Sequence, residues 1–278
     1  MAKHSPKFHY PLDIELATNP IAEVWLTIRW ELESGEPPEF KRDPNFDLAL
    51  GRFADRVKDQ FGVPVERAEV RIPPEMIPYR VRYQFRPQAD GWPLLQLGPG
   101  VASVNFNEGY TWKEFREMSL YLRSKLIEVY GEKKLNTESI SLQYRNAVPF
   151  KYSSRNLAEF LGSDLNTLIR VPEYIPGDAA TTGNISGMNL ILSYQLRKPE
   201  GIGVLKIVTG TKKVENVSPD PEHIIVEIEV SSKRDDAPTL GDEGQFNDWL
   251  EGAHNVAHDW FLSLIEGDLR RQFEEGEK

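Results

Sequence analysis

The chain has 278 residues, of which 40% are apolar and 27% charged, a composition typical of a soluble globular protein with one large or two modest domains. It contains no cysteine, which excludes a disulfide framework, a thiolate metal site and a cysteine nucleophile. The formal net charge is −10, and most of it comes from residues 235–278, which favours a protein or cation partner over nucleic acid.

The first ten residues are polar and are not followed by an apolar run. No stretch of the sequence approaches the roughly 18 consecutive apolar residues of a membrane span. We therefore expect a protein without a signal peptide or membrane contact, and we place it in the cytoplasm. The sequence contains no recognisable cofactor-binding motif, so we predict no cofactor.

The first half of the chain shows clear strand and helix patterns. Residues 22–32 and 79–86 alternate apolar and polar side chains and predict strands, whereas apolar residues at helical spacing between Phe46 and Phe61 predict a helix. Two further strands, 94–97 and 101–107, are predicted on either side of a Gly-Pro-Gly turn.

A second helix is predicted to begin at a capping box, with Thr111 as N-cap and Glu114 three residues later, and to end at Gly131. The apolar positions 140, 142 and 144 predict the strand that follows it. The first half thus has the predicted order β-α-β-β-β-α-β.

The second half has the predicted order β-β-β-α. Residues 154–170 are typical of short helices, and 177–187 form a small, polar, flexible segment suited to a hinge or a binding loop. Strands are predicted at 188–197, 202–211 and 223–231, and one long helix from about Gln245 to Phe273.

Short turns between strands are typical of antiparallel sheets, so the predicted class is α+β with two antiparallel sheets backed by helices. We predict an N-terminal α+β subdomain over 1–150 and a helical and loop connector over 151–187. Residues 188–278 are predicted to form a three-stranded sheet with a long C-terminal helix.

Several short segments resemble a sporadically distributed bacterial family of α+β proteins. They are Asn19-Pro20-Ile21-Ala22-Glu23-Val24, Leu95-Gln96-Leu97, Val104-Asn105-Phe106, Tyr110-Thr111-Trp112, Gln143-Tyr144-Arg145-Asn146, and His254 with Phe261. Gln143 departs from the family pattern, which has Arg there. The resemblance implies an α+β architecture and a setting in bacterial defence or toxin neutralisation, and it implies no particular chemistry.

His254 and His258 lie four residues apart on the last predicted helix. Two imidazoles at this spacing project from the same side of a helix and can bind one metal ion. The pair lacks the Glu that metalloproteases carry directly after the first His. The alternative is a half-buried, hydrogen-bonded His254 beside a solvent-facing His258.

Arg80, Arg82 and Arg86 share one face of the strand predicted at 79–86. Planar guanidinium groups are suited to a phosphate or a nucleic-acid backbone. The alternative is a solvated sheet face whose arginines pair with carboxylates of the same chain.

The last predicted helix has about 28 residues and would measure roughly 42 Å, whereas strands of about ten residues measure roughly 33 Å. Its overhang is expected to meet a second subunit, with Trp260, Leu269 and Phe273 as interface residues and a homodimer as the simplest assembly. The alternative is a helix broken at Gly267.

These patterns favour a non-enzymatic binding or assembly component with a macromolecular, preferably protein, partner. Two alternatives remain open. One is a metal-dependent hydrolase or nuclease that uses His254 and His258, and the other is nucleotide or nucleic-acid binding on the Arg80/Arg82/Arg86 face.

Overall fold

The computed structural model describes Tyr10 and residues 16–35, 40–62, 64–132, 135–152, 155–183, 185–211 and 222–276. The strands are β1 (Ile21–Trp30), β2 (Glu33–Ser34), β3 (Lys41–Arg42), β4 (Val65–Glu66), β5 (Tyr83–Phe85), β6 (Leu94–Gly98), β7 (Val101–Phe106), β8 (Thr137–Pro149), β9 (Asn189–Arg197), β10 (Glu200–Thr211) and β11 (Glu222–Lys233). The helices are α1 (Phe46–Val57), α2 (Trp112–Tyr130), α3 (Leu157–Ser163), α4 (Tyr174–Gly177), α5 (Glu243–Ile265) and α6 (Asp268–Glu275).

Nine strands form one antiparallel sheet in the order β4-β5-β6-β7-β1-β8-β11-β10-β9, and β2 pairs with β3 in a small second sheet. The predicted α+β class with antiparallel sheets is confirmed. The large sheet contains strands from both predicted subdomains, because β8 pairs with β11 from His223–Pro149 to Lys233–Ser139 without a break in register. The polypeptide on either side of residues 151–187 therefore contributes to one sheet and one core.

Helices α1, α2 and α5 lie on the same face of this sheet, which we call the helix face. The even-numbered residues of β1 from Val24 to Trp30 point to this face and are buried, whereas the odd-numbered ones lie on the opposite, open face. Thr111 is confirmed as the N-cap of α2, since its Oγ1 accepts a hydrogen bond of 3.2 Å from the Glu114 amide. No helix in the described ranges combines the length and the apolar character needed to cross a membrane.

The strand predicted at 79–86 is shorter than expected. Tyr79 has a φ of 60°, in the left-handed region, so the extended conformation is interrupted there. Regular pairing begins only at Tyr83, which lies opposite Leu97 of β6. Arg80, Arg82 and Arg86 consequently lie outside β5 and do not form the continuous strand face that the alternation predicts.

The long final helix is broken, and the predicted overhang is wrong. Gly267 has a φ of 119°, which separates α5 from α6. Leu269 and Phe273 are each 4% exposed and belong to the main core, and the Thr18 amide donates to the Phe273 carbonyl. The break turns the last residues back onto the same chain, so these two side chains are not available to a second subunit.

The substitution Phe273→Ala is expected to lower the free energy of unfolding by about 3 kcal/mol or more, because it leaves a cavity beneath α6. Chemical denaturation measures the loss. The neighbouring Gln272→Ala, on the exposed side of α6, is the control and should change stability by less than about 0.5 kcal/mol. Equal losses in the two variants would contradict the burial of Phe273.

Candidate functional site

The predicted metal ligand His254 lies in a buried row of hydrogen-bonded side chains. Its Nδ1 is 2.7 Å from the Tyr144 hydroxyl of β8, and that hydroxyl is 2.8 Å from the hydroxyl of Tyr110. The Trp112 ring stacks on the imidazole at 3.8 Å with an interplanar angle of 7°. His254 itself is 6% exposed. The arrangement joins α5, the start of α2 and the centre of the sheet.

Burial keeps this row uncharged near neutral pH. It lowers the pKa of His254 to about 3, with a smaller contribution from His258. Burial also raises the pKa of Tyr144 and that of Tyr110 above the ordinary value. A neutral imidazole and two neutral hydroxyls can share hydrogen bonds without placing a charge in the core. A buried charge would destabilise the folded protein.

The surroundings of the histidine pair do not fit a metal site. Nδ1 of His254 already has a partner, and the two imidazole centroids are 5.7 Å apart. His258 lies 3.5 Å from the carboxylate of the adjacent Asp259. Within the described ranges, no three or more His, Asp or Glu residues form a group that could hold a metal ion. The hydrogen-bonded alternative describes His254 better than the metal hypothesis, but His254 is buried and not half-buried. His258 is not solvent-facing as that alternative predicts, because only 16% of its side chain is exposed.

The three arginines of the predicted phosphate site have different surroundings. Arg82 is 7% exposed, and its Nη2 donates to the Ile72 carbonyl at 2.9 Å. Arg86 donates to the Gly91 carbonyl at 3.2 Å and its guanidinium lies over the Trp92 ring at 5.1 Å. Arg80 is exposed. Arg82 and Arg86 hold the chain around β5 in place, so the structure does not join the three into one phosphate-binding surface.

The open face carries a row of charged and polar side chains that sequence reasoning missed. Glu23 of β1 accepts hydrogen bonds of 2.8 Å from Asn105 of β7 and from Arg145 of β8. Glu227 of β11 accepts from Arg145 at 2.8 Å and from Lys206 of β10 at 3.1 Å. Burial raises the pKa of Glu227, but these two cations outweigh it and leave the pKa below the ordinary value. The row ties five neighbouring strands together.

The end strand β9 offers an open sheet edge, defined here as the β9 edge and comprising Asn189–Arg197. The Thr209 amide donates to the Met188 carbonyl at 3.1 Å, so the main-chain groups of even-numbered residues face β10. Successive residues of a strand alternate in this direction. The N–H and C=O groups of Ile191, Ser193 and Gln195 therefore point away from the sheet.

Large apolar side chains on the β9 edge are exposed. Ile191 is 55% exposed on the open face, and Leu192 and Tyr194 are 37% and 50% exposed on the helix face. Leu192 and Tyr194 point to the helix face, as the buried side chains of β11 do, but no described element lies beyond β9 to cover them.

Trp260 is the one predicted interface residue that lies at this edge. Its indole ring meets Tyr194 edge-on, with centroids 5.4 Å apart. It also packs onto Gly203 of β10, where an added Cβ would come within 2.5 Å of the ring. The half-buried Trp260 therefore supports Tyr194 from beneath and fixes the position of its ring.

The two ends of the large sheet differ. Edge strands of soluble proteins are usually protected by short length, proline, lysine, charged side chains or bulges. At one end β4 has two residues and follows Pro64, whereas β9 has nine residues and pairs with β10 in unbroken register. Its sequence NLILSYQLR contains neither proline nor lysine, and its one charge, Arg197, is at the end. The β9 edge is thus the best candidate for an interaction site in the described part of the chain.

Comparison of the chain with protein-family models, with curated proteins and with solved structures finds no match in any of the three. The resemblance to a sporadically distributed bacterial family stays a prediction. The candidate site rests on the geometry of β9 alone.

The buried His254 predicts a pH dependence of stability. Its pKa of about 3 in the folded protein is below the ordinary value of 6.5, so the unfolded chain binds the proton first as the pH falls. The contribution of the neutral His254 to the free energy of unfolding is therefore fully present above pH 6.5. It is lost as the pH falls toward 3, at about 1.4 kcal/mol per pH unit. The variant His254→Asn retains a neutral polar group and lacks this contribution.

Urea denaturation of both proteins between pH 7 and pH 4.5 tests this expectation. The stability difference between wild type and His254→Asn should shrink steadily as the pH falls, since the carboxylates titrate in both proteins alike. A difference that stays constant over this range would show that His254 is not held neutral by burial.

Arg82 and Arg80 are expected to respond differently to alanine. Arg82→Ala removes a buried donor and leaves the Ile72 carbonyl without it, so we expect a loss of about 1–3 kcal/mol in the free energy of unfolding. Arg80→Ala should change stability by less than about 0.5 kcal/mol. Thermal unfolding of the two variants is the measurement. Equally large losses of stability in both would contradict a buried, structural Arg82 and an exposed Arg80.

Proposed function

We propose that the protein is a non-enzymatic binding or assembly component that engages another polypeptide by adding a strand to the β9 edge. The observation that carries this proposal is the row of outward-pointing main-chain groups between Asn189 and Arg197, flanked by exposed apolar side chains. In strand addition, main-chain hydrogen bonds supply affinity and alternate side chains supply specificity.

The β9 edge has both the outward main-chain groups and the exposed side chains that strand addition uses. Ile191 and Leu192 would lose exposed apolar surface when a strand is added, which is favourable by about 25 cal/mol per Å² buried. Tyr194 supported by Trp260 provides a rigid aromatic anchor, the kind of side chain that dominates binding at protein interfaces.

The absence of cysteine from the sequence fits a reducing compartment, so we place this activity in the cytoplasm.

The resemblance to a sporadically distributed bacterial family adds a biological setting to the proposal, namely bacterial defence or toxin neutralisation. The metal-dependent hydrolase receives less support, because no group of three or more His, Asp or Glu residues in the described ranges could hold a metal ion. Nucleic-acid binding receives less support as well, because Arg82 is buried and bonded to main chain.

Native mass spectrometry of the protein, expressed alone and together with the products of its neighbouring genes, tests the proposal. We expect a defined assembly that the variant Ile191→Lys loses, because a lysine on an edge strand opposes the addition of another strand. Leu48→Lys is the matched control: Leu48 is 60% exposed, against 55% for Ile191, but it lies on α1.

The control variant should retain the assembly. A lone species of 31.8 kDa under every condition would contradict the proposal, as would an assembly that Ile191→Lys leaves intact. Circular dichroism of both variants confirms that the lysine has not unfolded the chain.

A further inference from the structure

We infer that the strand added to the β9 edge is β9 of a second copy of this chain, placed antiparallel about a two-fold axis at Ser193. This inference rests on the proposed function and names the partner. It follows from three properties of β9: the direction of its main-chain groups, the apolar character of its helix-face residues on both sides of Ser193 and the position of its charge.

The direction of the main-chain groups restricts the register. Odd-numbered residues of β9 present their N–H and C=O groups outward, so an odd-numbered residue must face an odd-numbered residue of the second copy. A two-fold axis at Ser193 satisfies this condition, because Ser193 then faces Ser193 and Ile191 faces Gln195. Asn189 faces Arg197 at both ends, so the whole strand is paired, with about ten new hydrogen bonds.

Registers centred on Leu192 or on Tyr194 also bring odd-numbered residues together. Each of them shifts the two strands past one another, so that residues at one end of each strand remain without a partner. The register centred on Ser193 forms more hydrogen bonds than either alternative, which makes it the favoured one.

The side chains of this register match on the helix face. On the helix face, Leu192 meets Tyr194 of the second copy and Leu190 meets Leu196, so apolar side chains lie opposite apolar ones. Cross-strand pairs of an aromatic with an aliphatic residue stabilise a sheet by about 0.2–1 kcal/mol each. Each Trp260, packed against Tyr194 of its own chain, would support this contact from the helix layer.

The charge distribution also favours a second copy. Two chains with a net charge of −10 each repel one another, but β9 carries no acidic residue. Arg197, its one charged residue, lies opposite the neutral Asn189 in the register centred on Ser193. Like charges are therefore not placed opposite one another anywhere along the paired strands, and long-range repulsion is screened at physiological ionic strength.

The natural chain has no cysteine, so a single engineered thiol reports one position without interference. In the inferred register the two Ser193 Cα atoms are about 5.5 Å apart, within the ~4.4–6.8 Å that a disulfide requires. The variant Ser193→Cys should therefore form a covalent dimer on mild oxidation. Gln195→Cys is the matched control, because its two Cα atoms would be about 14 Å apart in the same register.

The readout is the fraction of covalent dimer on a non-reducing gel, at protein concentrations where sedimentation velocity shows the assembly. We expect the fraction of covalent dimer to be at least about tenfold larger for Ser193→Cys than for Gln195→Cys. Two thiols that are too far apart cannot form a disulfide. The double variant Ser193→Cys/Ile191→Lys should lose the cross-link, which ties it to strand pairing rather than to random collision.

The possible outcomes separate this inference from the proposed function. A different polypeptide bound at the β9 edge, released by Ile191→Lys and accompanied by no Ser193→Cys dimer, overturns the second copy and leaves the proposed function standing. Equal cross-linking of the two cysteine variants, or cross-linking that survives Ile191→Lys, overturns the inferred register. A protein that stays monomeric under every condition overturns both the proposed function and the inferred dimer.

Discussion

The pairing of β8 with its two neighbours holds the molecule together. Its thirteen residues pair with β1 on one side and with β11 on the other, and so join the two halves of the chain. Both faces of β8 also contribute contacts between distant segments. Tyr144 binds His254 on the helix face, and Arg145 bridges Glu23 and Glu227 on the open face. The position of α5, and through it of Trp260 below β9, depends on this strand.

Local patterns in the sequence predict the elements of this fold well. Period-two alternation places β1 and β11 close to their observed bounds and marks the middle of the longer β8. Thr111 marks the start of α2 because the hydrogen bond of an N-cap is local. Gly267 predicts a possible break in the final helix, as an alternative to one long helix. A pattern of apolar spacing cannot decide between the two, since the choice depends on whether Leu269 and Phe273 find a core to enter.

The candidate site could not be predicted in the same way, because it depends on which strands are neighbours. Leu192 and Tyr194 alternate with polar residues as regularly as the buried side chains of β11 do, and they are exposed only because β9 is the end strand. Tyr144 and His254 are 110 positions apart in the chain. The His254–His258 spacing predicted a metal site from one helix, whereas the partner that occupies Nδ1 comes from a strand in the other half.

The opposite end of the large sheet limits the size of any assembly built through β9. Strand β4 has two residues and follows a proline, so it offers very little main chain to a further strand. A sheet with two open ends could add copies without limit and grow into a fibre. In the proposed pairing each chain would use its β9 edge for the other copy, and β4 would offer no second edge. Such an assembly would stop at two chains and would not grow into a fibre.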